Sequence, residues 1–275
     1  VIMYSTGNEV SETAQKKGIR LTAEMTRLLH ELDGTRPVTC GINIFFNFLS
    51  SIGFGVYSDE KAKKTAENTE KGALLKNKPS KKKKTVGSEF YNTLACMLGD
   101  RFMKWGATLY PCDLKTRDAF ANMDIAGYNY GINRYYHDLK KYPDRLILGT
   151  ETFCKDAYTF YEAAKENPGI IGDFVWAGWD YIGEVGEGCA EYSDYNFNGE
   201  RPETQMTGGN GRIDLLGKPR AEAAFTRVAF DLEKGPKIAV WPVYQKENIH
   251  ITGWQLTKAL ESWSWRGCAG MDAKI

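Results

Sequence analysis

A chain of 275 residues with 42% apolar and 13% aromatic content holds enough material for one large packed domain, or one domain with a smaller companion. Its formal net charge of +1 removes any global electrostatic reason to expect a polyanionic partner such as DNA. No apolar run approaches the length of a membrane span, and the first residues lack the basic start and small-residue cleavage site of a secretory leader.

The chain opens with Val1-Ile2-Met3-Tyr4-Ser5-Thr6-Gly7-Asn8-Glu9, which reads as a strand that delivers a glutamate just past its end. It begins inside that strand and without a methionine, so a piece of a longer protein is expected. Residues 11–32 carry Leu21, Met25, Leu28, Leu29 and Leu32 at helical spacing, and Asp33-Gly34-Thr35-Arg36-Pro37 stops the helix. Residues 37–43 form the next strand, which completes a βαβ unit.

From about 44 to 117 the pattern dissolves into a long excursion. It is aromatic and Gly-rich at first, basic around 76–84, then partly helical over 89–105. The run Lys81-Lys82-Lys83-Lys84 beside Asn, Pro and Ser reads as a solvated loop, and no nucleic-acid partner is expected.

Order returns over 123–130, a strand ending in Gly127-Tyr128-Asn129-Tyr130, and a helix over about 133–142 follows. Asp144-Arg145-Leu146-Ile147-Leu148-Gly149-Thr150-Glu151 is a compact apolar run, read as a buried parallel strand with Glu151 at its tip. A helix over 157–165 leads to the strand Ile170-Ile171-Gly172-Asp173-Phe174-Val175-Trp176. A Gly- and acid-rich loop over 179–211 and a helix over 221–232 complete the series. Alternating strands and helices point to a parallel α/β architecture.

Near Gly235-Pro236 the character changes to alternating strands at 237–243 and 248–252, as an all-β module would begin. The six cysteines, Cys40, Cys96, Cys112, Cys154, Cys189 and Cys268, show no Cys-x-x-Cys pair and no zinc-like histidine spacing. Reduced thiols are expected, which weighs toward a cytoplasmic setting. His30, His137 and His250 match no catalytic pattern.

Glu9 and Glu151 each end an apolar strand, and two carboxylates at the tips of parallel strands suit retaining glycoside hydrolysis. One carboxyl must be protonated at rest to serve the leaving oxygen, and the other ionised to attack the anomeric carbon. Taken singly, a glutamate beyond a strand as often caps the next helix.

Gly7-Asn8-Glu9, Gly127-Tyr128-Asn129-Tyr130, Gly149-Thr150-Glu151-Thr152 and Gly172-Asp173-Phe174-Val175-Trp176, in this order, resemble strands four, six, seven and eight of the glycoside hydrolase family 2 barrel, the β-galactosidase and β-glucuronidase group. The resemblance implies a (β/α)8 TIM barrel present in part, about strands 4–8, over residues 1–234 with an insertion at about 44–117. Residues 235–275 would start an immunoglobulin-like β-sandwich, as in many bacterial members. It further implies Glu9 as acid/base, Asn8 as the asparagine holding the sugar 2-hydroxyl, and Glu151 as nucleophile.

From the same resemblance one of Tyr128, Asn129 and Tyr130 would hydrogen-bond the nucleophile or the sugar, Tyr130 being the first choice and Asn129 a sugar contact, and Trp176 would form the pocket floor, with plain core packing as its alternative. Asp180 is a candidate for sugar hydroxyls, set against a loop aspartate bonded to backbone. Asn210 and Arg212 stand where the β-glucuronidases carry an Asn-x-Lys carboxylate-binding motif. A neutral β-galactoside is the first reading of the substrate and a hexuronide the second. A non-catalytic carbohydrate-binding or scaffold protein is a third. No cofactor, metal or membrane is called for; a carbohydrate substrate is the expected partner, and the family's habit implies a homo-oligomer.

Overall fold

The computed structural model describes residues 1–54, 56–57, 85–86, 88–182, 206–240, 253–254, 256–257, 259, 261 and 273–274. The Lys81–Lys84 run, the strand expected at 248–252 and Cys189 and Cys268 lie outside them. Five strands make one parallel sheet, β1 (Tyr4–Asn8), β2 (Val38–Asn43), β3 (Ile125–Asn129), β4 (Leu146–Phe153) and β5 (Ile170–Trp176), paired in chain order. The helices are α1 (Lys16–Leu32), α2 (Ile44–Ser51), α3 (Ser88–Ala107), α4 (Tyr110–Phe120), α5 (Tyr135–Lys141), α6 (Ala157–Glu166) and α7 (Ala221–Ala229). Two compact units divide within β4: Val1–Leu94 with Met103–Thr150, and Ala95–Phe102 with Glu151–Ile275.

In the first unit β2 and β3 are buried along their whole length, as near-continuous apolar runs of a parallel sheet should be. Val38 and Ile42 are fully buried, each stabilising the fold by roughly 1.5–3 kcal/mol relative to exposure. Gly41 of β2 pairs with Asn8 of β1 on one side and Gly127 of β3 on the other. The β1–β2 register shifts between Ser5 and Asn8, just before the chain reaches Glu9.

The expected helix at 11–32 exists as a 3-10 turn (Ser11–Ala14) followed by α1, but its leucine stripe is not the buried face. Gly18, Thr22 and Thr26 are buried, while Leu21, Leu28 and Leu32 are half or more exposed. The cause is close approach at Gly18, where a Cβ would stand 2.0 Å from the Glu12 carbonyl oxygen. The small-residue face is thereby turned inward.

The excursion carries more helix than its sequence pattern announces. Here α2, capped by Asn43, packs against α4 and the Ser11–Ala14 turn, with buried Asn47 donating to the Thr13 hydroxyl. Its polar side is enclosed as well as its apolar one, since Asn47 and Ser50 are buried along with Ile44, Phe45 and Phe46. The long α3 breaks at Gly99, which has φ 74°.

A buried ionic network pins the turn after β3. Arg134, 1% exposed, donates to Asp138 at 2.7 Å and to Asp113 at 3.2 Å, while Tyr128 Oη donates to Asp138 at 2.6 Å. Arg145 joins from the loop before β4, donating to Asp138 at 3.1 Å, and Lys141 and Tyr142 close the set on Asp113. Each buried charge has a partner, which is the condition for burying it at all.

In the second unit α6 packs on α7, and Tyr161 stacks on Phe230 with ring centroids 4.8 Å apart. Phe153, at the end of β4, meets Trp254 edge-on at 5.5 Å. Glu222 of α7 accepts the Leu256 amide N–H at 3.0 Å. Beyond 235 the described residues include one antiparallel pairing, Ala239–Val240 with Ala273–Lys274. Among the described residues no helix is long and apolar enough to cross a membrane.

Candidate active site

Glu9 follows the last residue of β1 and adopts φ 50°, a left-handed conformation that costs an ordinary residue about 1–2 kcal/mol. Two bonds to β2 and its exit hold it there. The Glu9 amide N–H donates to the Gly41 carbonyl at 2.9 Å, and Asn43 Nδ2 donates to Glu9 Oε1 at 2.9 Å. Buried Asn43 uses its own Oδ1 to accept the Phe46 amide N–H at 3.2 Å, the N-cap of α2.

Beside it runs a chain of side-chain hydrogen bonds across the strands. The Thr150 hydroxyl donates to Asn129 Oδ1 at 2.6 Å, and Asn129 Nδ2 donates to Asn8 Oδ1 at 2.9 Å. Gly41 makes room for this row: a Cβ there would lie 2.4 Å from Asn8 Oδ1 and 2.9 Å from Asn129 Oδ1. Gly127 does the same for Thr150, whose methyl would stand 2.8 Å from an added Cβ. Tyr130, buried and at φ 55°, is the second non-glycine residue at a strand exit in the left-handed region. Tyr128 is drawn away into the Asp138 network, and burial pushes its phenol far above the usual range.

Glu151 is half-buried and is not the last residue of its strand. β4 continues through Thr152 and Phe153, because the Thr152 hydroxyl donates to Asp173 Oδ1 of β5 at 2.6 Å and Phe153 packs on Trp254. Burial pushes the Asp173 carboxyl up to about 6, with Thr152 and the Arg212 charge pulling it back and Asp156 adding to the rise.

Trp176 ends β5, half-buried and edge-on to Tyr181 at 5.5 Å, and the Trp176–Ala177 peptide bond is cis. Asn210 is buried with its Nδ2 3.5 Å from Tyr181 Oη, and its carbonyl accepts the Ala177 amide N–H at 3.3 Å. Asp180 is 4% exposed and both its oxygens are engaged: Oδ2 by Arg220 at 2.9 Å and Oδ1 by the Gly209 amide N–H at 2.9 Å. This is the loop-bonded alternative of the sequence reading. Arg212 takes backbone bonds from the same loop, its amide N–H donating to Ala177 at 2.9 Å, while its Nε and Nη2 are buried without a hydrogen bond among the described residues.

The first unit therefore gathers Asn8, Glu9 and Asn129 with two residues that the sequence reading did not single out, Asn43 and Thr150. The second gathers Trp176, Asn210 and Asp180 around the 207–213 loop, with Thr152, which follows Glu151 in the chain, bonded to Asp173 of β5. Asn43 left one legible signal: an asparagine at a strand exit, immediately before the first turn of a helix. Among the described residues no group of three His, Cys, Asp or Glu could hold a metal ion. Cys40, Cys112 and Cys154 are buried free thiols, and burial pushes Cys112 up to about 12 and Cys154 up to about 11, so neither is a thiolate at neutral pH.

No protein-family model matches the chain, and no curated protein matches it by sequence. Its structural neighbours are members of glycosyl hydrolase family 2. A member from Bacteroides cellulosilyticus aligns over 99% of this chain and 27% of its own, with a TM-score of 0.64 and 22% identity. A second, from Bacteroides cellulosilyticus DSM 14838, aligns over 99% and 25%, with a TM-score of 0.57 and 21% identity. An FMN-binding β-glucuronidase from Facaelibacterium prausnitzii L2-6 aligns over 87% of this chain at a TM-score of 0.42 and 12% identity, too distant a likeness to bear on the fold. The chain thus shares its fold with a portion of family 2 glycosyl hydrolases, spanning about a quarter of the length of the first two.

Proposed function

We propose that this chain carries both carboxylates of a retaining exo-β-glycosidase, with Glu9 as acid/base and Glu151 as nucleophile, acting on terminal β-galactosides. The sheet is read as the later strands of a (β/α)8 barrel, and the residues beyond 235 as the start of a β-sandwich. One observation carries the reading. Glu9 leaves a parallel strand in a strained left-handed conformation, gripped at its amide by Gly41 and at its carboxyl by Asn43, with Asn8 tied into the neighbouring Asn129–Thr150 row. Such strain at a polar strand exit is a mark of functional sites.

In the reaction Glu151 attacks the anomeric carbon as the bond to the leaving oxygen breaks, and Glu9 gives its proton to that oxygen. Glu9, now ionised, takes a proton from water; that water's oxygen bonds the anomeric carbon and Glu151 departs. The two carboxyls must stand about 5–5.5 Å apart for this. Trp176 offers an aromatic face to the apolar side of the sugar, and Asn8 and Tyr130 offer polar contacts. Asn129 and Asp180 act as positioning residues, since both amide ends of the one and both oxygens of the other are already engaged.

A hexuronide substrate is the second reading. It is favoured by Arg212, whose buried Nε and Nη2 make no hydrogen bond to described residues and could hold a carboxylate bidentately. A panel of p-nitrophenyl β-glycosides, neutral and acidic, tested on the full protein separates the two. Turnover of the galactoside is expected, and Glu151→Gln is expected to lower it by ~10³-fold or more. Unchanged turnover in that variant refutes the assignment of Glu151.

A further inference from the structure

We infer that Asn43 is a positioning residue that decides which oxygen of Glu9 carries the transferable proton. The inference rests on the reading of Glu9 as acid/base. Asn43 has one acceptor and two donors on its amide, and its Oδ1 is committed to the Phe46 amide N–H at 3.2 Å. That commitment fixes which way the amide faces, so the group presented to Glu9 Oε1 at 2.9 Å is an N–H donor. An oxygen that accepts from an N–H cannot at the same time direct a proton of its own at that donor. Oε1 is therefore the accepting, carbonyl-like oxygen of protonated Glu9, and the acidic proton sits on Oε2.

The same assignment serves both halves of the double displacement. In the first, the O–H bond at Oε2 breaks as the leaving oxygen takes the proton and the glycosidic bond opens. In the second, Oε2 accepts a proton from the attacking water and is restored. Asn43 keeps its bond to Oε1 throughout, so the carboxyl turns neither during nor between the steps. Buried at 3% exposure and anchored through the cap to the first turn of α2, Asn43 is held more firmly than a surface side chain could be. Glu9 is thus held from β2 at its backbone, by the Gly41 carbonyl at φ 50°, and at one carboxyl oxygen, by Asn43.

The leaving group provides the test. General acid catalysis matters most when the departing oxygen is basic and little when it is already a good leaving group. Phenyl and 2,4-dinitrophenyl β-glycosides of the sugar turned over in the panel above supply the two extremes, and kcat/KM isolates the first step. Asn43→Ala removes both bonds; Asn43→Asp keeps an acceptor for the Phe46 amide, and so the cap, but no longer donates to Glu9. Both variants of the full protein are expected to lose about 10-fold or more on the phenyl glycoside and less than about 3-fold on the dinitrophenyl glycoside. Glu9→Gln should show the same skew more steeply.

Equal losses on both substrates, or a wild-type ratio in Asn43→Asp with an unchanged melting temperature, would overturn the role of Asn43 while leaving Glu9 in place. A flat response in Glu9→Gln would instead remove the acid/base reading, and the inference with it.

Discussion

Asp173 is a single titrating carboxyl tied to the strand that carries Glu151, since its Oδ1 accepts the Thr152 hydroxyl. Its folded pKa is raised from 3.8 to about 6, chiefly by burial, so the native state holds the proton more tightly than the unfolded chain does. Stability from this group is complete below about pH 4 and is lost as pH rises through about 6. Asp173→Asn keeps an acceptor for Thr152 without the titrating charge. It should therefore be more stable than wild type by on the order of 2 kcal/mol at pH 7.5, with the gap narrowing at pH 4.5, as read from urea unfolding at the two values. A gap independent of pH would contradict this account of Asp173. At the same scale, Asn8, Glu9 and Asn129 were legible as polar residues at strand exits. The bonds from Asn43 to Glu9, from Asn129 to Asn8 and from Thr150 to Asn129 were not, because they depend on inter-strand register and on the space left by Gly41 and Gly127, which no single stretch of sequence encodes.

Among the elements, the five strands were legible because parallel strands buried on both faces are short apolar runs ended by turn residues. Two readings failed to foresee what packing would do. A leucine stripe at helical spacing marks the face able to bury most area, yet α1 turns Gly18, Thr22 and Thr26 inward, since only a small residue tolerates the backbone approach at Gly18. Leu28→Gln should then change stability by less than about 0.5 kcal/mol. Gly18→Ala should cost about 1–3 kcal/mol, both measured by chemical denaturation. The reverse order would show that the leucine face is the packed one. In the excursion, α2 escaped notice because its eight residues, running straight on from a strand, are too short a window for a helical period to stand out, and α4 because it opens on Tyr110-Pro111, a pair that reads as a break although proline is well placed in a first helical turn.

On the scale of the whole molecule, the chain shares the fold of part of the family 2 glycosyl hydrolases, and the double displacement proposed for it would need both glutamates at one anomeric centre. The order of the strands was readable in the sequence, since Gly7-Asn8-Glu9, Gly127-Tyr128-Asn129-Tyr130, Gly149-Thr150-Glu151 and Gly172 to Trp176 each kept its place in the series. Pairing of Glu9 with Glu151 in one reaction is instead a statement about chemistry, and a covalent intermediate reports it most directly. Incubating the full protein with a 2,4-dinitrophenyl 2-deoxy-2-fluoro-β-glycoside, whose fluorine slows release of the glycosyl group, and mapping the added mass by peptide mass spectrometry reads out the attacking residue. The label is expected on Glu151, forming rapidly in wild type and in Glu9→Gln alike because the dinitrophenolate departs without an acid. A label on any other residue, or steady hydrolysis with no label on Glu151, would contradict the assignment.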